Sequence, residues 1–312
     1  MSKTKSPRSR QKSYGGMNSH TVGRLMKEAA WRAMQLIGDR IDNMVVTAKE
    51  TPGKMNDLFT DADEDAQRIY RELIEESFPT YGVIGEEGKL RIPCRNKRGL
   101  CFSLDPIDGT NAFVRGEPFG KFGTMIALAE GGRVISAWVG DVTSEQLFGY
   151  RPGSPNTHRL VGRNASIHLT IDESQLLADQ YVLLRDGPEL LSINMRKLVS
   201  LDNPNRLFKK YEVYGGSIGT WAVRLWSGNI GGLIIGAGHD APWDIWPIIG
   251  ICCHMGFVFL RFYRGKLVPV ELPVTDKTVY RPFEVLVVHQ SRLSELCSKG
   301  LMFCRGVRVV GV

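Results

Sequence analysis

The chain has 312 residues, of which 43% are hydrophobic and 23% charged, with 34 glycines, a balance that fits a globular mixed fold with a large buried core. Its net charge of +7 is concentrated at one end, because Lys3, Lys5, Arg8, Arg10 and Lys12 stand in a first 20 residues that hold no acid. Without them 35 basic residues face 33 acidic ones, so a near-neutral body gives no argument for nucleic-acid binding except through that tail.

Residues 1–20 read as a disordered basic tail, being rich in Ser, Lys, Arg and Gly. Val22, Leu25, Met26, Ala29, Ala33, Ile37 and Ile41 then recur at helical spacing, which predicts an amphipathic first helix. After Val45-Val46 and a Pro-Gly turn, the stretch Asp57-Leu58-Phe59-Thr60-Asp61-Ala62-Asp63 is expected to open a second helix. Thr60 is its N-cap, acids suit its positive end, and it closes near Phe78-Pro79.

Two short apolar runs follow, each delivering acids at its end. Gly82-Val83-Ile84-Gly85 leads to Glu86-Glu87, and Leu100 to Leu104 leads to Asp105-Pro106-Ile107-Asp108-Gly109-Thr110. Pro106 biases Asp105 toward an extended backbone, while Gly109 permits a turn that a side chain would block. Carboxylates held this close repel one another, a situation that a hard cation such as Mg²⁺ relieves by taking their oxygens.

Strands are predicted over 122–128, 134–139 and 146–150, joined by short turns that imply an antiparallel meander, and residues 152–167 read as loop. From Gln180 strands and helices alternate: strand 181–184, helices 190–199 and 218–227, strand 233–235, helix 244–255, strands 257–262 and 283–288, helix 292–298. Ile245 to Leu260 is the most apolar stretch, but Pro247, His254 and Gly256 interrupt it, so it reads as a buried helix running into a strand rather than a membrane span. His254 is expected to be a core or helix-end residue. Six cysteines without a C-x-x-C pair read as reduced, buried thiols, and with no apolar leader they point to the cytoplasm.

The loop Asp105 to Thr110, the Gly85-Glu86-Glu87 pair, the Asp57 to Asp63 stretch and Trp243-Asp244 stand in the order found in the inositol monophosphatase family, which this chain resembles from about Thr21 to Leu296. The resemblance implies an α/β (α+β) layered αβαβα sandwich, and the residue patterns agree with an antiparallel N-terminal half followed by an α/β half. The expected division is an N-terminal metal-binding half, 21–165, and a C-terminal half, 166–312, that supplies Asp244. The resemblance further implies a phosphoric monoester hydrolase, typically lithium-sensitive, that uses two or three Mg²⁺ ions. Glu86, Asp105, the Ile107 carbonyl, Asp108 and Asp244 would be ligands, and Thr110, Asp63 and Glu86 would handle the proton of the attacking water. Gly109 and Thr110 would cradle the phosphate through their backbone N–H groups, with Gly216, Ser217 and Asp244 beside the alcohol.

The match departs from the family at the substrate side. Asn111-Ala112-Phe113 after Thr110 and the run Phe122 to Leu128 look more like the histidinol-phosphatase branch. A family carboxylate ahead of Trp-Asp has no counterpart in Ile234 to His239, unless Asp240 serves after a one-residue slip, and Trp246-Pro247 replace small residues. The lysine expected before Asp57 is Lys49 or Lys54. The implied substrate is a small phosphorylated alcohol, histidinol phosphate or inositol monophosphate first, then 3′-phosphoadenosine 5′-phosphate or a sugar phosphate. The rival reading is a non-catalytic protein that binds a phosphorylated ligand. Members of the family commonly pair, so a homodimer is also admitted.

Overall fold

In a computed structural model, residues 13–303 are described apart from 15, 50–56, 117–120 and 164. The basic tail up to residue 12, Cys304 and the candidate Lys54 lie outside the described residues, as does the side chain of Lys49. Tyr14 is already buried, ahead of the first helix.

The N-terminal elements are α1 (Ser19–Arg40), β1 (Val46–Lys49), β2 (Asp57–Thr60) and α2 (Asp61–Ser77). They are followed by β3 (Gly82–Gly85), β4 (Arg91–Ile92), β5 (Leu100–Asp108) and the short α3 (Thr110–Arg115). A run of hairpins comes next: β6 (Gly123–Glu130), β7 (Arg133–Asp141), β8 (Gln146–Tyr150), β9 (His158–Val161) and β10 (Ala165–His168). The second half comprises β11 (Tyr181–Leu184), α4 (Ile193–Val199), β12 (Lys210–Val213), α5 (Ile218–Trp226), β13 (Gly232–Ile235) and β14 (Gly238–Asp240). It ends with α6 (Pro242–His254), β15 (Phe257–Tyr263), β16 (Lys266–Pro269), β17 (Val279–Arg281), β18 (Val285–His289) and α7 (Leu293–Ser298).

An 8-stranded sheet of order β10-β9-β8-β7-β6-β5-β3-β4 and a 6-stranded sheet of order β12-β11-β13-β18-β15-β16 form the two β layers. Three apolar cores hold five layers together. Met26, Ile37, Ala66 and Tyr70 of α1 and α2 pack on Phe102, Leu104 and Ile126 of the first sheet. Trp221, Trp226, Ile245 and Ile248 of α5 and α6 fill the space between Met125, Ala127 and Val139 of that sheet and Leu233, Phe259 and Val287 of the second. Met195 and Leu198 of α4 and Leu296 of α7 cover its outer face. The αβαβα sandwich expected from the sequence is the architecture observed.

Several local expectations need correction. Residues 57–60 are a strand paired antiparallel to β1, with Val46 opposite Thr60, and the helix begins only at Asp61. The segment read as loop forms the edge hairpin β9–β10, and β10 crosses the 165/166 division drawn from the sequence. The first sheet is not wholly antiparallel, because β3 runs parallel to β5. The thiols are free but unevenly buried, with Cys252 inside and Cys94 and Cys253 exposed. Among the described residues no helix is long and apolar enough to cross a membrane.

His254 ends α6 in the role expected of it. Its ring stacks on Tyr150 with centroids 3.9 Å apart, Nδ1 lies 2.7 Å from the Thr157 hydroxyl, and Nε2 lies 2.8 Å from the Ser154 carbonyl. Taking Nε2 as the N–H, it donates to Ser154 and Nδ1 accepts from Thr157, so the neutral ring satisfies both neighbours. Burial pushes its pKa below the ordinary value. The unfolded chain therefore takes up the proton first as pH falls past about 6.5, and stability present above that pH is lost below it. The urea midpoint should be lower at pH 5.5 than at pH 7.5, and His254→Gln should shrink that difference.

Candidate active site

The site grows from the ends of β3 and β5. Because these strands are parallel, with Gly85 opposite Leu104, the next residue on each, Glu86 and Asp105, emerges at the same sheet edge. The Glu86 N–H donates to the Leu104 carbonyl over 3.2 Å and fixes that register. In a regular strand Asp105 and Asp108, three residues apart, would point to opposite faces. They do not, because β5 carries one extra residue between the pairs Asp105–Met125 and Asp108–Gly123. This bulge lets Leu104 and Ile107 both face the α1–α2 core, while Asp105 and Asp108 both face the α5–α6 layer.

Glu86, Asp105 and Asp244 each offer a carboxylate oxygen, and these oxygens all lie within 4.8 Å of one another. Asp105 is buried, and its Oδ1 has no hydrogen-bond partner. Burial, then the charges of Glu86, Asp108, Asp244 and Asp63, raise the Asp105 pKa well above the usual carboxylate range. A buried oxygen without a partner, in a cluster of hard oxygen donors, fits a divalent cation such as Mg²⁺.

Asp108 stands just outside this trio. Its carboxylate accepts from the Ser217 hydroxyl and from the N–H groups of Ile218, at 3.1 Å, and Gly219, at 2.6 Å. Burial lifts its pKa to about 6 even though these bonds favour the charged form. Two carboxylate oxygens have about four acceptor positions, so Oδ1 keeps capacity for a cation. The Ser217 hydroxyl gives its one proton to Asp108 and accepts from the Thr220 N–H at 2.9 Å, so it has no proton left for a substrate. Gly216, with φ of +110°, sits beside it in a backbone conformation that suits glycine.

Asp63 uses its two oxygens differently. Its Oδ2 caps α2 by accepting from the Thr60 N–H at 2.8 Å and the Thr60 hydroxyl at 2.6 Å. Its Oδ1 lies 3.3 Å from the Thr110 hydroxyl, which is also 3.0 Å from the Ile107 carbonyl. One hydroxyl proton serves one of these acceptors at a time. Asp63→Ala should cost about 1–2 kcal/mol through the lost cap, whereas Thr110→Val leaves both cap bonds in place and should cost less. Urea unfolding of the pair checks this.

Three supports carried no local signal in the sequence. Gln67 of α2 exchanges hydrogen bonds with the backbone of Glu87 at 2.9 and 3.0 Å and so sets the turn after Glu86. With the Thr124 hydroxyl donating to the Asp105 carbonyl at 3.0 Å, Tyr70 gives its own proton to Thr124 at 2.8 Å. Arg91 donates to the Gly85 carbonyl at 2.8 Å and stacks over Trp243, which adjoins Asp244, at 5.2 Å. Trp246 lies in the core between the two sheets, and Asp240 is held by Arg281. The carboxylate that might have replaced the missing family residue is therefore already paired.

Residues 19–182 match the sequence profile of the inositol monophosphatase family. The chain belongs to that family. An inositol-1-monophosphatase of Bacillus subtilis is 30% identical over 121 residues, covering 39% of this chain and 41% of the relative. The Nus factor SuhB of Vibrio cholerae is 33% identical over 132 residues, covering 41% and 48%. A histidinol-phosphatase of Chlorobaculum parvum is 28% identical over 127 residues, covering 38% and 47%. The chain thus spans less than half the length of these curated relatives. The solved extragenic suppressor protein suhB of Bartonella henselae shares the fold with a TM-score of 0.66 at 18% identity, covering 89% of this chain and 98% of that one. This inositol monophosphatase family member therefore combines a family-like sequence over residues 19–182 with a fold shared over 89% of the chain.

Proposed function

We propose that the protein is a Mg²⁺-dependent phosphomonoesterase acting on a small phosphorylated alcohol. The observation that carries this reading is the convergence of Glu86, Asp105 and Asp244 around the partnerless Asp105 Oδ1. In this reading Glu86, Asp105 and the Ile107 carbonyl hold one ion, and Asp105, Asp108 and Asp244 hold a second, with Glu86 sharing a third. When bound, Mg²⁺ would lower the pKa of water and neutralise charge on the phosphate and the leaving oxygen.

The remaining work belongs to the chain. The Thr110 hydroxyl, kept in place by the Ile107 carbonyl, orients the attacking water, and Asp63 Oδ1 and Glu86 take up the proton released. The N–H groups of Gly109 and Thr110 cradle the phosphate, and Gly216 and Asp244 border the alcohol. Ser217 acts there through Asp108 rather than by direct contact.

Histidinol phosphate and inositol monophosphate lead the substrate list, supported by the Asn111-Ala112-Phe113 form and by the relatives' names. A bisphosphorylated nucleoside or a sugar phosphate comes next. The test is phosphate release across a panel of phosphate esters with Mg²⁺, with Mg²⁺ plus Li⁺, and in EDTA. Release that needs Mg²⁺ and is slowed by Li⁺ is expected. Undiminished release in EDTA overturns the reading, and tight ester binding without turnover favours a non-catalytic binding protein.

A further inference from the structure

The edge hairpin β9–β10 lies across the first sheet from the carboxylate cluster. Strands β8, β7 and β6 stand between β9 and β5, which at about 4.8 Å per strand is a distance of about 19 Å. The hairpin is fastened to α1 from its turn, where Arg163 donates to Glu28 at 3.1 Å and to Gln35 at 3.2 Å. Its strands carry two of the six histidines, and neither belongs to the candidate active site.

His158 and His168 are directly opposed in this pair of strands. The Leu169 N–H donates to the Thr157 carbonyl at 3.0 Å, so the backbone bond falls on the residues flanking the two histidines and theirs is a non-hydrogen-bonded pair. Facing side chains come closest in such pairs, and here the ring centroids are 5.8 Å apart with the planes inclined at 34°. An ion bonded at about 2 Å to one nitrogen of each ring, in tetrahedral geometry, needs the centroids about 5 Å apart. Small rotations of the two exposed-side rings within their rotamer wells cover the difference.

The surroundings leave a lone pair open. His158 is half-buried and His168 exposed, and His158 Nδ1 lies 3.2 Å from the Ser166 hydroxyl. Taking Nδ1 as the N–H, it donates to Ser166 and frees Nε2, the arrangement of metal-bound histidines, whose second nitrogen is held by an acceptor. Burial, then the charges of His168, Lys27, Arg151 and His254, push the His158 pKa below its ordinary value, so the ring is neutral at neutral pH. The two permanent cations of that group are engaged elsewhere. Arg151 donates to the Ser19 hydroxyl at 2.9 Å and the Pro152 carbonyl at 3.2 Å, and Lys27 lies over Trp138 with Nζ 5.7 Å from the ring centroid. A pair of imidazoles suits Cu²⁺, Ni²⁺ or Zn²⁺, whereas Mg²⁺ takes oxygen. We infer that His158 and His168 form a second metal site, which takes one of these transition-metal ions through two imidazole nitrogens, with water completing its shell. The bound ion bridges the two outermost strands of the sheet and clips the exposed edge strand β10 to β9.

Cu²⁺, the tightest binder of the three, is the probe, added to the full chain with excess Mg²⁺ present to occupy the carboxylates. The electron paramagnetic resonance spectrum should show splitting by two nitrogen nuclei, which a site made of carboxylates alone does not give. His158→Asn and His168→Asn should each remove a nitrogen from that pattern and raise the Kd for Cu²⁺, read by competition with a chromogenic chelator, about tenfold or more. The exposed His20 lies outside the hairpin, and His20→Asn should change neither readout. Because His168 is exposed, His168→Asn should melt with the wild type in EDTA, which separates a lost ligand from a lost fold. Cu²⁺ binding without nitrogen splitting, splitting that survives both hairpin variants, or a Kd that His168→Asn leaves unchanged overturns the inference. None of these readouts needs turnover, so the outcome is independent of the phosphatase reading.

Discussion

Asp105→Asn is expected to lower Mg²⁺-dependent phosphate release by about a thousandfold or more, because a bound cation supplies several kcal/mol of charge stabilisation and each 1.4 kcal/mol is tenfold. The same variant should be more stable than the wild type when metal is removed. Asp105 is buried among the carboxylates of Glu86, Asp108, Asp244 and Asp63, with one oxygen unpartnered, so its charge opposes folding unless a cation is present. An acid whose pKa is raised in the folded state contributes stability below its unfolded value and loses it as pH rises through the folded one. As pH rises above the ordinary carboxylate range the metal-free wild type loses that stability, and the neutral amide has nothing to lose. A gain of about 1 kcal/mol or more is expected, together with loss of the stabilisation that Mg²⁺ gives the wild type. Thermal melts in EDTA and in Mg²⁺ read both. A variant that is less stable without metal and still stabilised by Mg²⁺ would contradict this account of Asp105.

The second large effect is on stability alone. Arg281 is almost fully buried, donates through Nε at 2.8 Å and Nη2 at 3.1 Å to the two oxygens of Asp240, and also reaches the carbonyls of Gly236 and Phe283. It therefore joins the antiparallel pair β14–β17, whose first strand ends just ahead of Trp243-Asp244 in α6, to the chain entering β18. Arg281→Met keeps much of the side-chain volume but leaves Asp240 unpaired in the interior, a change worth about 3–5 kcal/mol. Asp240→Asn added to Arg281→Met should recover part of that loss, since the uncompensated charge is then gone. Urea unfolding of the two single variants and the double variant measures this. A loss below about 1 kcal/mol, the range of exposed pairs, would show that the pair does not act as a buried one.

What could be read from the sequence was what is encoded locally. The Thr60–Asp63 spacing announces a capped helix because both partners lie within one turn, and the apolar period of α1 places its buried face. The five-layer order followed from the succession of hairpins and then alternating elements, reinforced by family resemblance. Features that depend on pairing between distant segments were not legible. The bulge that turns Asp105 and Asp108 to one face exists only against β6, and Arg91, Gln67 and the Tyr70–Thr124 chain support the cluster from positions that read as ordinary surface or core. Asp240 looked available because its partner Arg281 lies 41 residues away. The β9–β10 hairpin was hidden by the Gly, Pro and Asn of its surroundings, which mark turns whether or not strands lie between them.

The most direct test of the central claim is an anomalous difference map from crystals grown with Mn²⁺, an oxygen-seeking cation that can stand in for Mg²⁺. The account predicts a peak within coordination distance of Glu86, Asp105 and Asp244. Strong Mn²⁺ peaks elsewhere, with none among these three carboxylates, would contradict it.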